Sequence, residues 1–486
     1  MSKFSENFNE ILKNNNISVY SLSKCSGVAR TSIYKYLNGK TLPKKEFLDS
    51  IIDVLCMSTK QKLELWESYK MEVYGKEVYL SFKKFKQFIE NLNKNLSDED
   101  IEFLCEEFKG DKKIEFLDNS TMVQFYLRRI IENEMSRKDR IPTIYTIIQP
   151  SCKYLFDLIY NYAKHKNISL NVNHVISFER MNEGEFCKAE NVDVLSKLLV
   201  AAIFNEKITY NLNYYYENND NQDKFNQVFP YFVVADEKVI LISHDYETGL
   251  YINKESVYNY FKDEFDRISK WCSKFIQFNR TMLDLVKFFK EVDTRGINYS
   301  YVIGAQPCIV GFLTPEMIES QKNKLDPAFL QIAKLGIDRL NTSRERLVDK
   351  PFITYFTLEG LDYFCNEGKI IEFPSNMNVV FNKKEILYTL NGFYEAVKQS
   401  KIEAYLVNTD IFKIPINVVV TSYELDYINI FYNDLKDDSI TAIIREKGMT
   451  ELINYFFEDL KSTEYVYSKD KTLEEIKKRI ELLEKY

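Results

Sequence analysis

The residues between Ser18 and Lys45 carry basic, hydroxyl and amide side chains in a pattern suited to binding a polyanion. This stretch contains no Asp or Glu, and its basic residues are Lys24, Arg30, Lys35, Lys40, Lys44 and Lys45. A phosphate backbone is attracted to such a strip, because each neutralised phosphate releases condensed counterions. Guanidinium, ammonium and hydroxyl groups also form hydrogen bonds with base edges. The sequence therefore predicts a surface that contacts nucleic acid.

Other residue types that could do chemistry lack the spacing that catalysis needs. The histidines are His165, His174 and His244, and none lies in H-E-x-x-H or H-x-K-x4-D. Gly39-Lys40-Thr41 matches the end of a phosphate loop, but Tyr34 stands where that loop requires Gly. We therefore expect no enzyme activity, no catalytic residue, no metal and no cofactor.

One polar pair remains as a candidate ligand site. His244 and Asp245 follow a predicted strand, and α/β proteins often bind ligands at strand ends. The alternative is that the pair caps a hairpin.

Apolar spacing places the basic strip on two short helices. Ser18 is a candidate N-cap for a helix that runs to about Lys24, and Gly27 suits a turn with a positive φ. A second helix begins near Ala29 and ends at Asn38-Gly39. The apolar residues expected to pack the two helices together are Leu22, Val28, Ile33 and Leu37. The side chains left facing outward on the second helix are Arg30, Thr31, Ser32, Tyr34 and Lys35.

The stretch from Ile17 to Pro43 resembles the Cro and phage-repressor (Xre) family of helix-turn-helix proteins. The family has a Ser before helix two, a Leu within it, Gly-Val at the turn, a polar helix three and a closing Asn-Gly, and all are present here. Val19 departs from the family, which often has a polar, phosphate-contacting residue there. The resemblance covers residues 1–70 and implies a five-helix domain that binds double-stranded DNA; the alternative, as in some relatives, is protein binding.

These observations predict a role for each polar residue of the stretch. We expect the outward residues of the second helix to contact bases, since Arg suits guanine and hydroxyls suit either base type. The residues expected to contact phosphates are Ser18, Tyr20, Asn38, Lys40 and Lys44.

Composition is that of a globular chain with several domains. The 486 residues are 45% apolar and 28% charged, with a net charge of −7. Residues 1–86 contain 15 Lys and Arg against 9 Asp and Glu, so the acidic excess lies in the remainder. No run of 18 apolar residues and no apolar signal core occurs, so we expect a cytoplasmic protein without a membrane partner.

A connecting helix is predicted after the basic domain. Large apolar residues keep a helical spacing from Val78 to Leu96, and residues 71–140 are expected to be a helical linker. Because helix-turn-helix proteins usually bind two half-sites, this helix could form a homodimer. It could equally pack on its own chain.

From Ile141 onward the sequence predicts a mixed α/β body. Strands are expected at 144–148, 168–178, 208–216, 231–235 and 238–243, and helices at 154–164, 192–204 and 254–278. Near the C-terminus, Thr472 and Glu475 have the spacing of a capping box.

The body has two stretches with a similar order of elements, residues 141–296 and 297–486. I-I-Q-P-S-C at 147–152 is echoed by I-G-A-Q-P-C at 303–308, Val233–Asp245 by Val419–Asp434, and Asn-Tyr-Phe at 259–261 by the same tripeptide at 454–456. A divergent duplication explains these echoes, and chance among similar α/β units is the alternative. The strand, strand, helix ending of each half resembles sensor domains of the phospholipase-D-like type.

The sequence thus predicts a multidomain protein with an all-α helix-turn-helix domain followed by a mixed α/β (α+β) body. We expect a sequence-specific transcriptional regulator whose body senses a small-molecule or peptide effector. One alternative is a phage-defence or toxin–antitoxin effector that uses its helix-turn-helix for autoregulation. Another is a body that serves only as a scaffold for dimerisation.

Overall fold

The structure is a computed structural model that describes residues 2–55, 57–92, 112–166, 169–179, 189–196, 207–217, 228–279, 287–288, 290–292, 301–322, 352–373, 379–423, 427–433 and 439–485. The chain divides into two compact units, Met1–Lys84 and Phe85–Tyr486. Residues 93–111 of the predicted helical linker lie outside the described residues.

The first unit is helical. Its helices are α1 (Lys3–Asn14), α2 (Val19–Ser26), α3 (Arg30–Leu37), α4 (Lys45–Val54), α5 (Thr59–Tyr74) and the first part of α6 (Lys76–Asn91), within which the unit boundary falls. One apolar core joins α1 to α5, and it includes the four residues expected to pack α2 against α3, Leu22, Val28, Ile33 and Leu37. The predicted all-α domain at the N-terminus is confirmed.

The second unit alternates helices with strands. Its further helices are α7 (Ser120–Met135), α8 (Lys153–Lys166), α9 (Ala189–Val194), α10 (Glu255–Ser269), α11 (Pro315–Glu319), α12 (Leu358–Glu367), α13 (Lys383–Lys398), α14 (Lys447–Leu460) and α15 (Lys469–Lys485). Its strands are β1 (Ile114–Leu117), β2 (Thr143–Ile147), β3 (Leu170–Glu179), β4 (Ile208–Glu217), β5 (Tyr231–Ala235), β6 (Lys238–Ile242), β7 (Gly249–Ile252), β8 (Ser273–Lys274), β9 (Ile276–Asn279), β10 (Tyr301–Gly304), β11 (Ile353–Phe356), β12 (Glu403–Leu406), β13 (Val418–Tyr423), β14 (Tyr427–Asn433) and β15 (Ser439–Ile444). The predicted mixed α/β body is therefore confirmed.

Two mixed sheets with matching topology make up this unit. The first has the order β1-β7-β6-β5-β2-β3-β4-β8, and the second has the order β12-β11-β10-β13-β14-β15-β9. In the first, β2, β3 and β4 are parallel, while β5, β6, β7 and β1 continue antiparallel on the other side of β2. In the second, β10, β11 and β12 are parallel, while β13, β14, β15 and β9 continue antiparallel. Seven strands correspond in order and direction, and the two halves are similar as predicted.

The three sequence echoes fall at corresponding places in the two sheets. The Gln-Pro segments follow β2 and β10, the second pair of segments forms β5-β6 and β13-β14, and the Asn-Tyr-Phe tripeptides lie on α10 and α14. Each of these two helices covers the same face of its sheet. Phe265 of α10 packs with Phe232, and Phe457 of α14 stacks on Tyr355 of β11.

Two local predictions are wrong. The helix expected at 254–278 ends at Ser269, because Ile276–Asn279 pairs as β9 with β15. The capping box at Thr472 and Glu475 does not open a helix, because α15 already begins at Lys469. Instead the buried Thr472 hydroxyl accepts a hydrogen bond from the Leu406 N–H at 3.0 Å.

The boundaries of the two similar halves also differ from the predicted residue ranges. Strand β1 lies in the segment expected to be a helical linker and pairs with β7. Strand β9, which lies before residue 297, belongs to the second sheet. In the described part of the chain, no helix is long and apolar enough to cross a membrane.

Candidate nucleic-acid interface

Local hydrogen bonds define both ends of α2. The Ser18 hydroxyl accepts from the Ser21 N–H at 3.1 Å, which satisfies one of the free donors of the first turn. Gly27 ends the helix with φ +72°, and its N–H donates to the Ser23 carbonyl at 3.1 Å. A Cβ at Gly27 would meet nothing within 4 Å, so this position requires glycine for its left-handed backbone and not for space.

The C-terminal end of α3 is anchored to neighbouring helices. The Asn9 side chain donates from Nδ2 to the Leu37 carbonyl at 2.8 Å. Gly39 follows with φ +65°, and a Cβ there would lie 3.2 Å from the Ser2 backbone nitrogen. The Tyr69 hydroxyl donates to the Pro43 carbonyl at 3.1 Å. These contacts fix α3 and the segment after it on the core.

Helix α3 presents a polar face to solvent and buries the opposite one. Ile33, Tyr36 and Leu37 are buried, at 0%, 6% and 7% exposure. Tyr36 was not among the predicted core residues, although its spacing of three from Ile33 is the spacing of a helical face. Of the ten residues expected to contact DNA, Ser32 is half-buried and nine are exposed, namely Ser18, Tyr20, Arg30, Thr31, Tyr34, Lys35, Asn38, Lys40 and Lys44.

The fold brings together two of these residues that are ten positions apart. The Arg30 guanidinium lies 4.6 Å from the centre of the Tyr20 ring, and both belong to the exposed surface. This cation–π contact joins the first turn of α2 to the first turn of α3. At an exposed site such a contact is worth about 0.5–1 kcal/mol, so it favours the rotamers of Arg30 that hold the guanidinium over the ring.

The basic strip remains unneutralised in the folded domain. Lys24, Lys35, Lys40 and Lys44 are exposed, as is Arg30, while Lys45 is half-buried. Within the described part of the chain, none of these six side chains forms an ion pair with a carboxylate. The first turn of α3 also holds no acidic residue, so the positive end of its dipole adds to the field. The arrangement suits contact with phosphates.

The candidate ligand pair lies in a surface turn. His244 and Asp245 are exposed between β6 and β7, where the Asp245 Oδ1 accepts from the Ser243 hydroxyl at 2.6 Å and from the Glu247 N–H at 3.1 Å. These hydrogen bonds, the one from Ser243 foremost, lower the pKa of Asp245. The pair thus occupies a hairpin turn.

Another histidine has a structural environment. His174 of β3 is fully buried and bonds the Tyr210 hydroxyl at 2.9 Å through Nδ1 and the Ile148 carbonyl at 2.7 Å through Nε2. Burial lowers the pKa of His174 to about 4. The side chain of His165 is outside the described part. Over the described residues, no group of three or more His, Cys, Asp or Glu side chains could hold a metal ion.

Comparison with known proteins gives only distant structural likeness. No family model and no curated protein matches the chain. The archaeal chromatin protein TrmBL2 is 12% identical, with a TM-score of 0.23 over 53% of this chain and 88% of that one. Phosphatidylserine synthase of Haemophilus influenzae is 10% identical (TM-score 0.24; 83% and 98% of the two chains). Polyphosphate kinase of Porphyromonas gingivalis is 9% identical (TM-score 0.21; 76% and 55%). Likeness at this level carries no argument about the fold or function of this chain.

Proposed function

We propose that the protein is a sequence-specific DNA-binding transcriptional regulator of the Xre type that acts as a homodimer on a pseudo-palindromic operator. The observation that carries the proposal is the two-sided character of α3. One face is buried in the core, and the other presents Arg30, Thr31, Tyr34 and Lys35 to solvent within an unpaired basic strip. A helix of this kind can enter the major groove and read base edges.

Individual side chains have different roles in this proposal. Arg30, held over Tyr20, is suited to a guanine because its guanidinium can donate to O6 and N7 together. Lys40 and Lys44 lie beyond the end of α3, where they contact the backbone phosphates that flank the groove. Specificity therefore comes from α3, and most of the salt-dependent affinity comes from the lysines.

The test begins with selection of bound duplexes from a random library, followed by titrations with single variants. Arg30→Ala should weaken binding to the selected operator by about 1–3 kcal/mol and relax the preference at one base position. Lys40→Ala should weaken operator and random duplex alike and reduce the salt slope by about one. Lys13→Ala is the matched control, since Lys13 is an exposed cation at the end of α1. If Arg30→Ala behaves like Lys13→Ala, α3 is not the recognition helix.

We further propose that the second unit regulates DNA binding in response to a small molecule or peptide. Support comes from its size and its repeated architecture, which exceed what dimerisation requires, and from the resemblance of its strand, strand, helix endings to phospholipase-D-like sensor domains. Helix α6 is the proposed transmitter. Its C-terminal part is integrated in the second unit, where Phe85 packs edge-on against Phe456 at 5.3 Å and Phe457 at 6.1 Å.

Regulation through α6 needs only a modest energetic coupling. An effector that changes DNA affinity tenfold must favour one geometry by about 1.4 kcal/mol. Phe85→Ala should reduce any effector response while the purified protein still recognises its operator. An effector response of full size in this variant would contradict transmission through α6.

A further inference from the structure

A cluster of amide and hydroxyl side chains crosses one face of the second sheet. Asn279 of β9 pairs directly with Thr441 of β15, and Asn429 of β14 pairs directly with Thr421 of β13. Asn429 is also a diagonal neighbour of Thr441, whose direct partner on β14 is Phe431. Directly paired residues project from the same face, so all four side chains lie together. We call these four residues the amide patch.

The amide patch is buried, and two of its polar atoms have no hydrogen-bond partner among the described residues. The exposed fractions are 4% for Asn279, 8% for Thr421, 5% for Asn429 and 2% for Thr441. Gln277 donates to the Asn279 Oδ1 at 3.0 Å, but Asn279 Nδ2 and Asn429 Oδ1 form no hydrogen bond with any residue that the structure describes. Buried amide atoms without a partner are destabilising and rare in native proteins. An ordered water or a bound ligand that supplies the missing partner would explain them.

Apolar clusters flank the patch on the same face. Val419 and Phe431 belong to the core under α12 and α13, and Tyr423, Tyr427 and Ile443 form a second cluster with Phe288. Every described strand residue on this face is uncharged. The described strands of this face therefore combine amides, hydroxyls and aromatic rings without formal charge.

The first sheet shows that the shared topology does not require this polarity. In the first sheet, the face that points away from α10 corresponds to the face of the amide patch, which points away from α14. It carries Val233, Ile240 and Tyr251 on β5, β6 and β7. The buried polar side chains on that face are paired, since Thr146 donates to the Phe232 carbonyl and His174 bonds Tyr210. The same architecture thus carries hydrogen-bonded polar side chains on this face in one half and an amide patch with unpaired atoms in the other.

We propose that the amide patch is a binding site for a neutral polyhydroxylated small molecule, the class of mono- and disaccharides. The free donor on Asn279 and the free acceptor on Asn429 match hydroxyl groups, each of which can accept and donate. The uncharged strand face disfavours a phosphate or carboxylate, because a buried charge needs a compensating one. The site also lies toward the junction of the two halves, since β9 is an edge strand of the second sheet that contacts β4 of the first.

Binding is tested directly on the full chain, independently of DNA. Thermal unfolding and calorimetric titration would use D-glucose, maltose, sucrose and trehalose at roughly 10 mM, with glucose 6-phosphate as the charged comparison. At least one neutral sugar should raise the melting temperature, and glucose 6-phosphate should not. Asn279→Leu and Asn429→Leu should each weaken sugar binding tenfold or more. Asn429→Leu should not lower the melting temperature of the sugar-free protein, because it removes an unpaired polar atom, whereas Asn279→Leu also removes the acceptor of the Gln277 hydrogen bond.

Asn433→Leu is the matched control for stability. Asn433 lies on the same strand and face as Asn429, but its amide donates to the Ile371 carbonyl at 3.1 Å. Its replacement should therefore lower the melting temperature. If Asn429→Leu is as destabilising as Asn433→Leu, the patch is structural and the site is refuted.

The remaining outcomes separate the site from the proposed regulatory function, on which its role as an effector site rests. No response to any of the four sugars, or a response to glucose 6-phosphate alone, overturns the assignment to neutral sugars. Sugar binding that leaves operator affinity unchanged supports the site and contradicts only the sensing role.

Discussion

The buried His174 should make the second unit sensitive to mild acid. Burial lowers the pKa of His174 to about 4, against an ordinary value of 6.5 in the unfolded chain. The folded state therefore keeps the ring neutral at pH values where the unfolded chain takes up a proton. The contribution of His174 to the free energy of unfolding is fully present above pH 6.5 and is lost as the pH falls toward 4. From these two values, the free energy of unfolding should decrease by about 2 kcal/mol between pH 7.5 and pH 5 through this residue alone.

The matched variant for this prediction is His174→Gln. Glutamine can still donate to the Ile148 carbonyl and accept from the Tyr210 hydroxyl, but it does not titrate. Urea unfolding at pH 7.5 and pH 5, with hydrogen exchange of β3 and β4 peptides used to assign the transition, gives the loss of stability for each protein. The decrease in the free energy of unfolding between pH 7.5 and pH 5 should be about 2 kcal/mol smaller in His174→Gln than in the parent, whatever the stability of the variant at pH 7.5. Tyr210→Phe removes a hydroxyl and retains the histidine, so it should keep the acid sensitivity of the parent. Equal acid sensitivity in His174→Gln and the parent would refute the reasoning.

Four further predictions concern the first unit and the packing of the second. Tyr20→Leu removes the ring beneath Arg30 and should weaken operator binding by about 0.5–1 kcal/mol, measured by titration against the selected duplex, while Lys13→Ala leaves it unchanged. Gly27→Ala should destabilise the first unit by only about 1 kcal/mol, since its cost is the left-handed backbone alone. Gly360→Ala should destabilise the second unit by about 3 kcal/mol, because its Cβ would lie 2.0 Å from the Ala305 carbonyl oxygen; peptide-resolved hydrogen exchange distinguishes the two units. A truncated protein of residues 1–74 contains α1 to α5 and their shared core. In a gel-shift titration it should still prefer the operator, but it should bind the operator more weakly than the full chain and show no effector response.

Signals within a few residues were sufficient to predict the helix-turn-helix. Ser18 as N-cap, Gly27 at the left-handed position and the apolar residues at helical spacing act within one or two turns, so the sequence alone indicates α2, α3 and their outward face. The contact between Tyr20 and Arg30 could not be predicted in this way. It depends on the angle at which α2 and α3 pack, and that angle is set by the core beneath them.

Local patterns failed where distant segments competed for the same residues. Ile276–Asn279 continues the apolar spacing of α10, yet it forms β9 because pairing with β15 satisfies its backbone inside a sheet. Thr472 has the spacing of a cap, but the backbone N–H of Leu406, 66 residues away, binds its hydroxyl within the core.

The sequence by itself determined the basic strip, the helix-turn-helix, the mixed α/β body and the similar order of elements in its two halves. Only the tertiary structure revealed that seven strands match in order and direction, and that Asn279 and Asn429 lie on one buried face. The physical reason is the range of the interactions. Caps, turns and helical faces depend on neighbours along the chain, whereas an amide patch is assembled from strands about 150 residues apart by the register of the sheet.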